Sequence, residues 1–381
     1  MRSRQIVWTA DKTTKYKKVF FMKITAIRTQ AIEIPFKEPI GTSIHNITGV
    51  AGLLVWIETD GDIIGESYLW VIGKHKVPVL EVMIKALGPV VINKNPLDTE
   101  ALYSDMWKEI NFLGHKGVTI FGMAAIDWAC WDIKGKYYDT SVGRLLGRSR
   151  DRVPAYASGG LWTSMTIEDL QAQAKSFVQE GFKAIKMRIG LPDGNMDLER
   201  VAAVREVIGP SIDLMVDANQ GLSVNQAIKL GRGLEQFDLV WFEEPVQAYD
   251  LAGSARVAAE LDTPIASGET EYTRYGFQDM IERRAADVLM PDLERVGGVS
   301  EWIKVAHMAA AVDIPVSPHI FTEHSLQLCG AVSNISYAEH MPWFIELFKE
   351  KIEMIDGDIL IPDRPGMGFS FDPEAVKRFS I

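Results

Sequence analysis

The sequence predicts an α/β protein in two parts: an α+β module over residues 22–150 and an eight-stranded parallel β/α barrel over residues 151–357. Three observations predict it. Eight short apolar runs recur from Val153 onward, amphipathic helical stretches separate them, and a hairpin signal with three helical patterns precedes them. Strands that alternate with helices form a parallel sheet, and eight of them close it into a barrel.

The module comes first. Residues 24–34 read as a strand closed by Pro35. Residues 53–57 and 63–66 flank Asp60-Gly61, a dipeptide that tight hairpins favour. Helical periodicity follows near residues 77–91, near 98–110 and over 121–136, where Met123, Ile126, Ala129, Cys130 and Ile133 share a face. The eight barrel strands are expected at 153–157, 184–188, 212–217, 239–243, 264–268, 287–291, 314–318 and 334–338. Between them, Thr166 and Asp169 form a helix-start pattern with Gly181 at the far end, and Gly209-Pro210 stops the next helix. Residues 358–381 form a C-terminal segment with two strand-like pieces, 359–361 and 368–371, expected to return to the N-terminal module. Residues 1–21 carry a basic cluster but no long apolar segment with a cleavage site. They are expected to be a non-native or disordered leader, with Met22 the natural start.

Composition narrows the function. The net charge of -11 argues against a nucleic-acid partner, because phosphate binding wants a basic surface. No apolar run reaches the roughly 18 residues that span a bilayer, so no membrane partner is expected. The two cysteines, Cys130 and Cys329, lie in apolar stretches. They read as reduced, buried thiols and a cytoplasmic setting. The GxGxxG, HExxH and GxSxG patterns are absent.

The polar residues at the strand ends carry the chemistry. In a β/α barrel these positions face the active site. They are Lys186 and Arg188, Asp217 and Asn219, then Glu243, Glu269, Asp292, His319 and Glu339, at steps of 20 to 31 residues. Asp217, Glu243 and Glu269 place one carboxylate on each of three successive strands. Such an oxygen-rich cluster suits a hard cation, Mg²⁺ above all. Lys186 and Arg188, two apart on one strand, share a face and need an anionic partner. Asp292 and His319 end neighbouring strands, and a carboxylate beside a histidine fixes its tautomer and raises its basicity.

These motifs support a family resemblance. Lys-Met-Arg at 186–188, Val-Asp-Ala-Asn at 216–219, Phe-Glu-Glu-Pro at 242–245, Gly-Glu-Thr at 268–270, Met-Pro-Asp at 290–292 with Gly297-Gly298, and Ser-Pro-His at 317–319 resemble the mandelate racemase subgroup of the enolase superfamily. The resemblance extends over nearly the whole chain from Met22. It implies a modified (β/α)7β barrel beneath an α+β capping domain to which the C-terminal strands return. It implies one Mg²⁺ per subunit on Asp217, Glu243 and Glu269, Asn219 close by, and Glu339 hydrogen-bonding a developing ene-diolate, with a protonated form that donates. Capping loops near residues 36–48 and 68–75 are implied to choose the substrate, with Lys37, His45, Tyr68 and Trp70 as candidates. Homo-oligomers are common among such barrels.

The expected chemistry is abstraction of the proton beside a carboxylate. Mg²⁺ and Lys186 would stabilise the charge, and His319, oriented by Asp292, would take the proton. Where the family's racemases and many of its dehydratases carry a second lysine, this chain has Arg188, and a guanidinium is a poor base, so that a second base would have to be a rotated Lys186 or an Arg188 in an unusual environment. Racemisation needs a base on each face. The expectation is therefore a Mg²⁺-dependent hydro-lyase that dehydrates a small anionic carbohydrate acid, an aldonate or aldarate, to a 2-keto-3-deoxy acid. The alternatives are a racemase, epimerase or cycloisomerase working through the same ene-diolate, and a non-catalytic structural barrel.

Overall fold

The apolar alternation of the N-terminal residues builds an antiparallel sheet of β1 (Ile24–Gly41), β2 (Asn46–Thr59) and β3 (Ile64–Val71), in that order, in a computed structural model that describes residues 22–381. The expected leader lies outside the described residues. The hairpin at Asp60-Gly61 joins β2 to β3. Pro35 does not end the first strand. β1 continues through Pro35 and Pro39 to Gly41, with a register shift between Pro35 and Ile40. Its place at the edge of the sheet explains this, because a missing N–H costs nothing on an unpaired side.

Three helices follow: α1 (Val77–Val91) and α3 (Val118–Tyr137) pack on the sheet, and α2 (Thr99–Glu109) packs on both of them. α3 is buried on nearly all sides, not on one face alone, because it lies between the sheet and the barrel. Its two buried acids serve that junction. Asp127 accepts from Ser300 N and Oγ at 2.9 and 2.6 Å. Asp132 accepts from Glu66 N and Met367 N at 2.9 and 2.8 Å. The short α4 (Val142–Leu145) leads into the barrel.

The barrel strands are β4 (Arg152–Ala157), β5 (Ala184–Arg188), β6 (Asp213–Asp217), β7 (Leu239–Glu243), β8 (Ile265–Ser267), β9 (Val288–Leu289) and, closing on β4, β10 (Ala338–His340). The helices between them are α5 (Ile167–Gln179), α6 (Gly194–Ile208), α7 (Val224–Leu234), α8 (Leu251–Glu260), α9 (Thr273–Arg283), α10 (Val299–Ala310) and α11 (Thr322–Ala331). Thr166 caps α5 through its Oγ1, as its sequence predicts. The seventh expected strand, residues 314–318, is reduced to single bridges, Leu289 to Val316 and Asp292 to His319. Much of the eighth is likewise one bridge, Val316 to Ile335, and its strand proper begins at Ala338. Pro315 and Pro318 bracket the seventh segment and remove two donors from its ladder. Apolar residues of strands and helices fill the layer between them, for example Ile185, Leu214, Val216 and Phe242.

The C-terminal pieces behave differently from each other. β11 (Met354–Ile355) and β12 (Asp358–Leu360) form a hairpin, and β12 runs antiparallel to the start of β4, pairing Ile359 with Val153. Residues 359–361 thus join the barrel, not the N-terminal sheet, because the first half of β4 extends beyond its parallel neighbours and leaves an open edge there. Phe371 N donates to Glu66 Oε2 at 3.3 Å. After α12 (Pro373–Phe379), Ser380 bridges Ile32 of β1. No described helix is long and apolar enough to cross a membrane.

Gly65 marks the closest approach of sheet to helix. A Cβ there would overlap the Ala129 carbonyl of α3 and lie 2.7 Å from Ile133 Cγ1. Gly65→Ala is therefore expected to destabilise the protein by about 1–3 kcal/mol, the usual cost of overpacking. A thermal unfolding scan checks it, and an unchanged Tm would mean the junction yields without strain.

Candidate active site

Parallel register assembles the site. Arg188 pairs with Asp217, Asp217 with Glu243, and Glu243 with Ala266, so one cation and two acids stand in a row across adjacent strands. Glu269 follows three residues after Ala266, and Lys186 precedes Arg188 on the same face of β5.

Lys186 is at the centre of the charges and only 1% exposed. Its Nζ donates to Glu243 Oε1 at 2.6 Å and lies 3.2 Å from Glu339 Oε1 and 3.6 Å from Asp217 Oδ2. Burial pushes its pKa down, but Glu243 and Glu339 outweigh burial and hold it well above the ordinary value. Arg188 donates to Ser158 O and Oγ at 2.8 and 3.1 Å. Its Nε lies 3.5 Å from Asp217 Oδ2 and has no hydrogen-bond partner. Asn219 donates to both Asp217 oxygens, from N at 2.7 Å and Nδ2 at 3.0 Å, and leaves its own buried Oδ1 without a partner.

Glu339 lies beside Lys186, on β10. It accepts from Ser158 Oγ at 2.5 Å and from Ile320 N at 2.6 Å. Burial pushes its carboxyl up, but Lys186, His319 and Arg188 overcome burial and hold it at about 2. In this arrangement Glu339 accepts hydrogen bonds beside the lysine.

Asp292 and His319 meet as their positions imply. His319 Nδ1 lies 2.7 Å from Asp292 Oδ2, and its Nε2 lies 3.3 Å from Glu269 Oε2. Burial acts to lower the imidazole pKa, but Glu269 and the Asp292 hydrogen bond raise it above the ordinary value. Asp292 is fully buried and also accepts from Glu294 N, Arg295 N and Arg295 Nη1, at 2.9, 2.8 and 2.8 Å. Burial pushes its carboxyl up, while Arg295 and His319 bring it below the usual value.

Arg295 and Glu244 escape notice in the sequence. The only signal for Arg295 is its position three residues after Asp292. Glu244 is the second acid of Phe-Glu-Glu-Pro, and its φ of 39° turns it into the cavity that Glu243 does not line. It accepts from Gln220 Nε2 at 2.9 Å. Burial first, then Glu269 and Asp217, push its pKa well up.

The cavity above these residues has a volume of about 140 Å³. The cap contributes Thr42, Ile44, His45, Ile47, Trp70 and Ile72 to its wall. His45 and Trp70 therefore sit where the resemblance implies. Lys37 and Tyr68 do not. Lys37 is exposed on edge strand β1, away from the cavity. Tyr68 shares a face of β3 with Trp70 but lies further from the strand end. Its ring packs on Phe321 and Trp128, and its hydroxyl faces Glu323 at 3.4 Å. Trp162 and Trp343, on loops after β4 and β10, complete the wall and have no counterpart among the expected site residues.

The donor set fits a hard divalent cation. Asp217, Glu243, Glu244, Glu269, Asp292 and Glu339 share Lys186, Arg188, Arg295 and His319, which leaves carboxylates in surplus. Burial, with Asp217, Glu339 and Glu269, pushes Glu243 up to about 8 against the pull of Lys186. Among the described residues no three acid, histidine or cysteine side chains are already gathered around one point. Asp217 leans on Asn219 and Glu243 on Lys186, while Glu269 leans on His319. Asp217, Glu243 and Glu269 would hold such an ion, with the unpartnered Asn219 Oδ1 nearby.

Fold and site together define an enolase-type protein, a cap over a barrel with acids on successive strands. Residues 23–147 match the mandelate racemase/muconate lactonizing enzyme N-terminal domain, and residues 169–375 match the enolase C-terminal domain-like family. The chain belongs to the mandelate racemase/muconate lactonizing enzyme subgroup of the enolase superfamily. It is 36% identical over 297 residues to arabinonate dehydratase of Saccharolobus solfataricus, covering 75% of this chain and 79% of that one. It is 33% identical to D-galactarolactone cycloisomerase of Agrobacterium fabrum, covering 94% and 99%. The crystal structure of L-talarate dehydratase from Polaromonas sp. JS666, complexed with Mg and L-glucarate, superposes with a TM-score of 0.87 at 34% identity, covering 94% and 97%. The chain is thus an enzyme of this superfamily, and its relatives include both lyases and isomerases.

Lys186→Met removes the cation that three buried carboxylates share. In metal-free buffer the variant is expected to be less stable, by roughly 3–5 kcal/mol before the acids take up protons in compensation. Thermal unfolding with a chelator present measures this; a Tm equal to that of the parent would show that the acids do not depend on Lys186.

Proposed function

We propose that this chain is a magnesium-dependent dehydratase of an acid sugar, releasing a 2-keto-3-deoxy acid. The observation that carries the reading is the one-sidedness of the base. His319, tied to Asp292 and through it to Arg295, stands on one side, and on strand two the matching position is Arg188. Dehydratases and a cycloisomerase both occur among the relatives, and a one-base site favours elimination over racemisation.

Asp217, Glu243 and Glu269 would hold the magnesium ion, one per subunit. When bound, it supplies Lewis-acid stabilisation to the substrate carboxylate. The remaining work falls to side chains. The Nδ1–H of His319 donates to Asp292, which leaves the Nε2 lone pair to take the α-proton. Lys186 adds a fixed positive charge next to the carboxylate that gains electron density. The β-hydroxyl departs as water, with the proton returned by the His319 imidazolium, and the resulting enol tautomerises to the keto acid. Arg188, fixed by Ser158, stays protonated and holds an oxygen of the substrate.

Two experiments test this. His319→Asn is expected to abolish keto-acid formation and α-proton exchange in deuterated water, and persistent exchange would assign the base elsewhere. Asp217→Asn is expected to lose magnesium binding in calorimetry, at a cost of roughly 10-fold or more in affinity. NMR of the products separates the isomerase reading, since a cycloisomerase or epimerase conserves the substrate's mass.

A further inference from the structure

The cavity is charged on its barrel side and neutral on its cap side. Among the described residues that line it, lysine and arginine occur three times, all from the barrel side and all with polar partners there, with the Arg188 and Arg295 guanidiniums lying over Trp162 and Trp70 at 4.6 and 5.4 Å. Lys186 pairs with Glu243, Glu339 and Asp217; Arg188 is held by Ser158 and Asp217; Arg295 is held by Asp292. The wall from the cap and from the loops after β4 and β10 is apolar, with Ile44, Ile47, Ile72, Trp70, Trp162 and Trp343. Its tryptophans form one continuous surface. Trp343 meets Trp70 edge-on at 5.5 Å and stacks near Trp162 at 6.3 Å.

We infer that the substrate carries one carboxylate only: an acid sugar of the aldonate type, not an aldarate with a carboxylate at each end. Its single carboxylate goes to the barrel side, and its distal carbons lie with their C–H faces on the tryptophans. A second carboxylate against this apolar wall would find no cation without a partner already, and a desolvated, unpaired charge is strongly disfavoured. Neutral hydroxyls do find partners, since Thr42 and Thr270 line the cavity. His45 is the remaining ionisable group from the cap, and it lies exposed at the mouth, where water screens it.

This inference rests on the acid-sugar dehydratase reading for its chemistry, but the charge preference can be read without turnover. Magnesium-loaded protein is given aldonate–aldarate pairs matched in length and configuration, and keto-acid release is measured. Tryptophan fluorescence then follows binding of the same pairs to His319→Asn. The expected result is at least about 100-fold higher kcat/KM, and tighter binding, for aldonates. Ile72→Arg, or Ile44→Arg should the first not fold, is expected to narrow that gap at least about 10-fold by giving a distal carboxylate a partner. Equal or better use of aldarates would overturn the inference while leaving dehydration standing. If no acid is dehydrated, the dehydratase reading fails, and the fluorescence titration still decides: tighter monoacid binding supports the inference, and tighter diacid binding or no binding overturns it.

Discussion

One buried ammonium organises this molecule. Lys186 lies almost entirely out of water within ion-pairing distance of three carboxylates from three other strands. Burying any of these charges alone is costly, and only together are they tolerable. That mutual dependence constrains the barrel. A shift of β6 or β7 by one residue would turn Asp217 or Glu243 to the opposite side of the wall and strand the lysine. Chemical need and register thus reinforce each other, and the helices outside the barrel mainly keep water away from the result.

Much of this was legible in the sequence because barrels are periodic. Asp217, Glu243, Glu269, Asp292, His319 and Glu339 each follow an apolar run, so their common destination could be read from repetition alone. What repetition does not encode was missed. Glu244 enters the cavity through a positive φ, a local backbone event with no periodic signature. Arg295 belongs to the loop after β9, and its importance depends on where Asp292 points. The seventh strand looked like its neighbours in composition, yet Pro315 and Pro318 leave it with isolated bridges. The cationic neighbours of Glu339, which hold its carboxyl down against burial, lie on other strands and leave no mark in the local sequence.

Cap residues posed a different difficulty. Tyr68 and Trp70 are equivalent by alternation, and only their distance from the end of β3 separates a core side chain from a cavity wall. Lys37 falls within a loop region that the resemblance implies, but it stands on an edge strand, and edge strands display such residues to solvent. Specificity is therefore written in where a strand stops, a property that tertiary contacts determine. The barrel supplies charge at fixed heights, and the cap supplies shape through a few aromatic rings whose placement follows from those contacts.

The bridge between Ser380 and Ile32 joins the last residues of the chain to its first strand. The N-terminal sheet emerges early in synthesis, yet the outer edge of β1 gains this partner only after α12 has been made and folded back. Loss of Ser380 would leave that edge unpaired at Ile32 while every barrel strand keeps its neighbours.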